Sequence, residues 1–131
     1  MLTQSDLDGF TGTSEYFPHW TRKLVFTEGV KYLADKAGAY WLIDAIASYQ
    51  ADPRIAKNQM LRRMQFWKLE VQGDKAVLTV VEDSGRKPVI SQNIDYTDFP
   101  LKSVEIWVEY GGYETEHGVQ AGFVAMLPSE R

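Results

Sequence analysis

Cysteine is absent from this chain of 131 residues, which excludes disulfides, thiol catalysis and cysteine-ligated zinc. Histidine is scarce: only His19 and His117 are available for metal or acid–base chemistry, and no metal site or cofactor is expected from them. No apolar run approaches the ~18 residues that signal a membrane span, so no membrane contact is expected. Met1-Leu2-Thr3-Gln4-Ser5-Asp6 has neither a basic start nor an apolar segment, so a secretory leader is not expected and the cytoplasm is the expected location. There is no glycine-rich phosphate loop and no Gly-x-Ser-x-Gly elbow, so nucleophilic catalysis has no visible apparatus.

What the chain does have is aromatic and aliphatic bulk. Hydrophobic residues make up 44% of it, with four Trp, seven Tyr and six Phe, enough for a sizeable core without staples. One domain over residues 1–131 is expected, helical over 1–61 and a β-meander over 62–131. Ser5 reads as the cap of a short turn over Leu7 and Phe10, and a second turn is expected through Tyr16, Phe17 and Trp20. Leu24-Val25-Phe26 reads as briefly extended. Thr27 caps the next helix, whose apolar positions Val30, Leu33, Ala34 and Ala37 keep helical spacing, and Gly38 ends it. A main helix follows over Ala39–Gln50, then Asp52-Pro53 opens a shorter one through Ile55 and Leu61.

After Arg62 the period shifts to two. Trp67, Leu69 and Val71 alternate with Lys68 and Glu70, and Gly73-Asp74 sits where a two-residue turn belongs before Ala76–Val81. Further strands are expected around Val89–Ile94, Val104–Val108 and Phe123–Leu127, the last as a free edge. The class is therefore α+β: a helical N-terminal half packed on one face of a four- to five-stranded antiparallel sheet.

Within the main helix, Ala39, Leu42, Ile43, Ile46 and Tyr49 share one apolar face, while Tyr40, Trp41, Asp44, Ser48, Ala37 and Ala47 share the other. A carboxylate in so apolar a run needs a partner, so Asp44 is expected to be buried and hydrogen-bonded, framed by Tyr40, Trp41 and Ser48. His19, beside Trp20, is the residue type that would make an acid–base pair with Asp44. Asp95-Tyr96-Thr97-Asp98-Phe99-Pro100 reads as a turn in which Asp98 bonds local amides and Phe99 anchors in the core. Candidate binding residues are thus His19, Trp20, Tyr40, Trp41, Asp44, Ser48, Tyr96 and Asp98.

Charge is unevenly spread. Residues 1–52 hold four bases and seven acids, 53–92 eight bases and four acids, and 93–131 two bases and seven acids. Arg62, Arg63 and Lys68 flank Phe66 and Trp67, a pattern that contacts phosphates and stacks on bases in some proteins and is matched internally by acidic segments in others.

The residues Phe10-Thr11-Gly12-Thr13, Tyr16, His19-Trp20, Gly29–Ala34, Ala37–Ser48, Phe66–Leu69, Tyr96–Leu101 and Leu127-Pro128-Ser129-Glu130 together resemble a family of small proteins from bacteria, phages and mobile elements that is catalogued only as of unknown function. That resemblance implies no reaction or ligand. The leading expectation is a non-catalytic accessory protein that binds a protein partner or forms a homodimer, through the Tyr40, Trp41 and Ser48 face or through the edge at Phe123–Leu127. The alternatives are nucleic-acid binding through Arg62, Arg63 and Lys68, and a small enzyme using His19, Asp44 and Asp98.

Overall fold

Alternation from Met64 onward makes the expected hairpin, and the computed structural model, which describes all 131 residues, pairs β3 (Met64–Gln72) with β4 (Lys75–Val81) in register from Phe66↔Val81 to Gln72↔Lys75. Gly73 turns the chain in the left-handed region at φ 65°, where a glycine has no steric penalty. β5 (Ile90–Ile94) adds to the outer side of β4, while β6 (Ser103–Thr115) returns to the other side of β3 and continues through a hairpin into β7 (Gly118–Met126).

The α+β class holds, but the sheet is larger than expected, with seven strands in the order β1-β2-β7-β6-β3-β4-β5, and it is mixed. Two of its strands come from the N-terminal half. Tyr16–Pro18 forms β1, not a helical turn, and pairs antiparallel with β2 (Val25–Thr27). Pro18 lies on an edge strand, where a missing N–H removes no ladder bond. β2 then pairs in parallel with β7 through Val25↔Val124 and Phe26↔Ala125, so the expected edge at Phe123–Leu127 is an interior strand. A parallel neighbour from about a hundred residues away leaves no local mark on either sequence.

The helices obey their local signals more closely. Thr27 caps α2 (Glu28–Ala37), its hydroxyl accepting from the Val30 amide at 3.3 Å, and Gly38 closes it in the left-handed conformation. α3 spans Tyr40–Tyr49, and α4 (Pro53–Ala56) begins at the expected Asp52 cap but stops short of Leu61. Asn58 accounts for that stop, since its side-chain oxygen accepts from the Met60 and Leu61 amides and starts a new turn. α1 (Gln4–Asp8) is capped by Thr3, not Ser5: Thr3 and Asp6 exchange two hydrogen bonds in a reciprocal box that places the start two residues earlier.

All the helices lie on one side of the sheet. Their buried residues, Val30, Leu33, Leu42, Ile46 and Ile55 among them, join Trp67, Leu69, Leu78, Ile106 and Val108 in one core. Inside it Gln50 and Gln65 exchange amide hydrogen bonds at 2.9 and 2.8 Å, and the Trp67 indole donates to Gln65 Oε1. Every polar atom of that pair is thereby answered, as burial requires.

The two ends of the chain meet at the start of α2. The Glu130 carboxylate accepts from Thr27 Oγ1 at 2.6 Å and from the Gly29 and Leu127 amides. Glu28 does the same for the N-terminal segment, accepting from the Ser14 amide and hydroxyl and the Glu15 amide, which hold its pKa below the ordinary value. That tie is complete above the usual carboxylate pKa and is lost as the pH falls through the depressed one.

A Cβ at Gly29 would stand 2.6 Å from Glu130 Oε1 and 2.8 Å from Leu127 Cδ1. Gly29→Ala must therefore displace the carboxylate and lose its hydrogen bonds, costing about 1.5–3 kcal/mol. Glu130→Ala should cost a similar amount, and the double variant clearly less than the sum, because both act on one contact. Urea midpoints of the three proteins check this; full additivity would separate the two residues.

Candidate functional site

His19 begins the turn that leaves β1, and its buried ring meets α3. His19 Nε2 lies 2.6 Å from Asp44 Oδ1, and the same oxygen accepts from Trp20 Nε1 at 3.0 Å. On the other side of the ring, Nδ1 accepts from the Thr21 amide at 3.2 Å, and it lies 2.8 Å from Thr21 Oγ1, which itself accepts from the Lys23 amide. A backbone amide can only donate, so Nδ1 carries no proton and Nε2–H donates to Asp44. The network thus engages both nitrogens of the buried ring.

The structure brings His19 and Asp44 together, which the sequence left open, and it reverses their expected burial. His19 is the buried member, 4% exposed, whereas the Asp44 side chain is 47% exposed. Asp44 was expected to be buried; it sits at the rim because Ala47, assigned by projection to its face, turns into the core in its place and is fully buried. Ser48 and Trp41 do flank it in one cleft, but Tyr40 does not. The Tyr40 hydroxyl donates to Asp35 Oδ1 at 2.5 Å, in a chain that also pairs Asp35 with Lys31, and Ser48 donates to the Ala45 carbonyl. The Asp35 partner raises the pKa of both Tyr40 and Lys31, and they in turn lower that of Asp35. Trp41 packs against the core.

Asp44 opens onto a cleft of about 700 Å³ between α3 and β5, walled by Trp41, Ser48, Tyr49, Gln92 and Asp95. The second carboxylate of the cleft is Asp95, not Asp98. Asp98 is exposed and bonds no local amide; the turn is held by Thr97, whose hydroxyl accepts from the Phe99 amide while its own amide donates to the Asp74 carbonyl. Phe99 is anchored in the core as expected, and Tyr96 is 71% exposed. His117 is exposed in the β6–β7 turn, beside Glu116.

The face of the sheet away from the helices carries a feature that strand alternation contains but does not announce. Met126, Trp107, Phe66 and Val81 are register partners across four adjacent strands and form one apolar row. Val25, Val124 and Met126 make a small second cluster there with Tyr16, Trp107 and Tyr113, and no helical residue joins it. Phe66 and Trp107 meet edge to face, with centroids 5.1 Å apart. Trp107 Nε1 is buried without a hydrogen-bond partner, so within the chain Trp107 serves as ring area alone. In the next row, exposed Lys68 stands opposite Glu105 in register and 3.7 Å from Glu70. Arg62 and Arg63 lie elsewhere, on the connection from α4 to β3, and line a separate cavity with Tyr110 and Phe123.

Fold and side-chain arrangement together define an α+β protein with helices on one face of a mixed seven-stranded sheet, and no helix is long and apolar enough to cross a membrane. The chain belongs to DUF6876, a family of unknown function whose model matches residues 1–131. No curated protein and no solved structure matches it.

Removing the Asp44 carboxylate leaves the buried Nε2–H of His19 without an acceptor. Asp44→Ala should cost about 1–3 kcal/mol, while Asp44→Asn, whose amide oxygen still accepts, should retain most of the stability. Denaturant midpoints at unchanged m decide it: an alanine variant that unfolds with the wild type would remove Asp44 from the structural account.

Proposed function

We propose that this chain is a non-catalytic protein-binding module that pairs with a second copy of itself through the open face of its sheet. The observation that carries this reading is the apolar row Met126, Trp107, Phe66 and Val81, which crosses the middle of the sheet on the face that no helix covers, Met126 buried and the other three half-buried. A sheet ordinarily buries an apolar face against another element. Seven strands at ~4.8 Å spacing make a face roughly 29 Å wide, the scale of the ~800 Å² that each partner contributes to a standard interface.

The pattern on this face is complementary to itself. A two-fold axis running along the strands between β3 and β6 lays each residue of β3 over its own register partner on β6 of the other copy. Lys68 then faces Glu105, Phe66 faces Trp107, and Val81 faces Met126, each pairing occurring twice. The surfaces expected from sequence are weaker candidates, because β7 has neighbours on both sides and Tyr40 is tied to Asp35. The acid–base reading is weaker too, since His19 is buried with both ring nitrogens engaged.

Light scattering at micromolar concentration should give twice the 15.0 kDa chain mass. Lys68→Glu sets four carboxylates against one another on the central rows and should shift the protein toward a single chain. Adding Glu105→Lys restores the pairing and the mass. A single-chain mass at every wild-type concentration, or a dimer indifferent to Lys68→Glu, would overturn the proposal.

A further inference from the structure

The cavity beside the middle of β6 and β7, on the helix side of the sheet, combines two features. Its wall includes two unpaired guanidinium groups, and its floor is aromatic. Arg62 and Arg63 project from an ordered connection: Asn58 fixes the turn before them, the Arg62 amide donates to the Asn58 carbonyl, and the Tyr110 amide donates to the Arg63 carbonyl. Neither side chain has a carboxylate within ion-pair distance, whereas Arg54, Arg86 and Arg131 are each paired with an acid. Tyr110, 52% exposed, meets Phe123 edge to face at 5.1 Å, and Met60 and Gln59 complete a space of about 590 Å³.

We propose that this cavity binds a nucleoside phosphate, either free or as one nucleotide of a single strand. Planar guanidiniums bond phosphate oxygens in pairs, and they keep their charge throughout the accessible pH range. A flat aromatic side chain open to solvent offers the surface on which a nucleobase stacks, without preference for sequence. An inorganic anion would be served by the arginines alone; the apolar floor of Met60, Tyr110 and Phe123 asks for a ligand with a ring. The volume lies within the ~300–1,000 Å³ range of small-ligand sites. Lys68, the third base of the segment, is on the opposite face of the sheet and has no part in it.

Calorimetric titration of the full chain with adenosine monophosphate, with a thymidine dodecamer and with inorganic phosphate tests the site. A nucleotide or the dodecamer should bind at least tenfold more tightly than phosphate; tighter binding of the dodecamer assigns the site to single strands, and equal binding per nucleotide assigns it to free nucleotides. Arg62→Ala with Arg63→Ala should weaken binding about tenfold or more and flatten its salt dependence, and Tyr110→Ala should weaken it about tenfold at unchanged salt slope. All three residues are exposed, so these variants keep the fold. Absence of binding to both nucleotide probes, phosphate affinity equal to theirs, or affinity indifferent to the arginine pair would each overturn the proposal.

Discussion

The parallel contact between β2 and β7 is the constraint on which the rest of the structure depends. It joins residues about a hundred positions apart through only two register pairs, Val25↔Val124 and Phe26↔Ala125, so its ladder bonds alone are too few to offset the loop-closure entropy of bringing the strands together. The contact persists because Glu130, a few residues beyond β7, is held by Thr27, the last residue of β2, and by Gly29 in the first turn of α2. Strand end and helix start are clamped by one carboxylate, which also lies at the positive end of α2. With that clamp in place β1 and β2 extend the sheet, α2 is set against it, and His19 is delivered to Asp44.

Local signals in the sequence were legible and distant ones were not. Thr27, Gly38 and Asp52 mark helix boundaries by their own chemistry, and Gly73-Asp74 marks a turn by its backbone requirement, so each could be read from a few neighbours. Pro18 misled because its ring suits a first helical turn and an edge strand equally, and only the partner β2 decides between them. Gln50 and Gln65 look like surface residues until each is seen to satisfy the other. At the candidate site, the residue types were legible but their meeting was not: nothing local in the sequence brings His19 to Asp44, and which of them is buried depends on how α3 rotates, with a fully buried Ala47 turning Asp44 outward. Asp95 replaced Asp98 at the cleft because β5 ends beside α3, a fact of tertiary packing.

The two proposed surfaces lie on opposite sides of the sheet, and alternation keeps them independent. On β6, Trp107 points to the open face and Tyr110 to the helix side; on β3, Phe66 and Lys68 share the open face while Trp67 is in the core. A module that pairs through one face and takes a ligand on the other would present two copies of the ligand site, far apart and facing outward. Two such sites on one strand would reinforce one another through effective concentration, without any change in either contact.

The charge segments of the sequence acquire a sharper meaning once the strands are in order. β3 lies between β4 and β6, which brings the basic middle of the chain against its acidic last third, and Lys68 pairs with Glu70 and stands opposite Glu105 in register. Internal neutralisation therefore explains one of the three bases that flank Phe66 and Trp67. It does not reach Arg62 and Arg63, which precede the strand and stand where β6 offers Tyr110 and not a carboxylate. Two adjacent guanidiniums beside an exposed tyrosine are what sets this cavity apart from the chain's other bases. The overall negative field opposes a polyanion at long range but is screened within about 10 Å at ordinary salt, leaving the local pair to set the affinity for a phosphate that arrives.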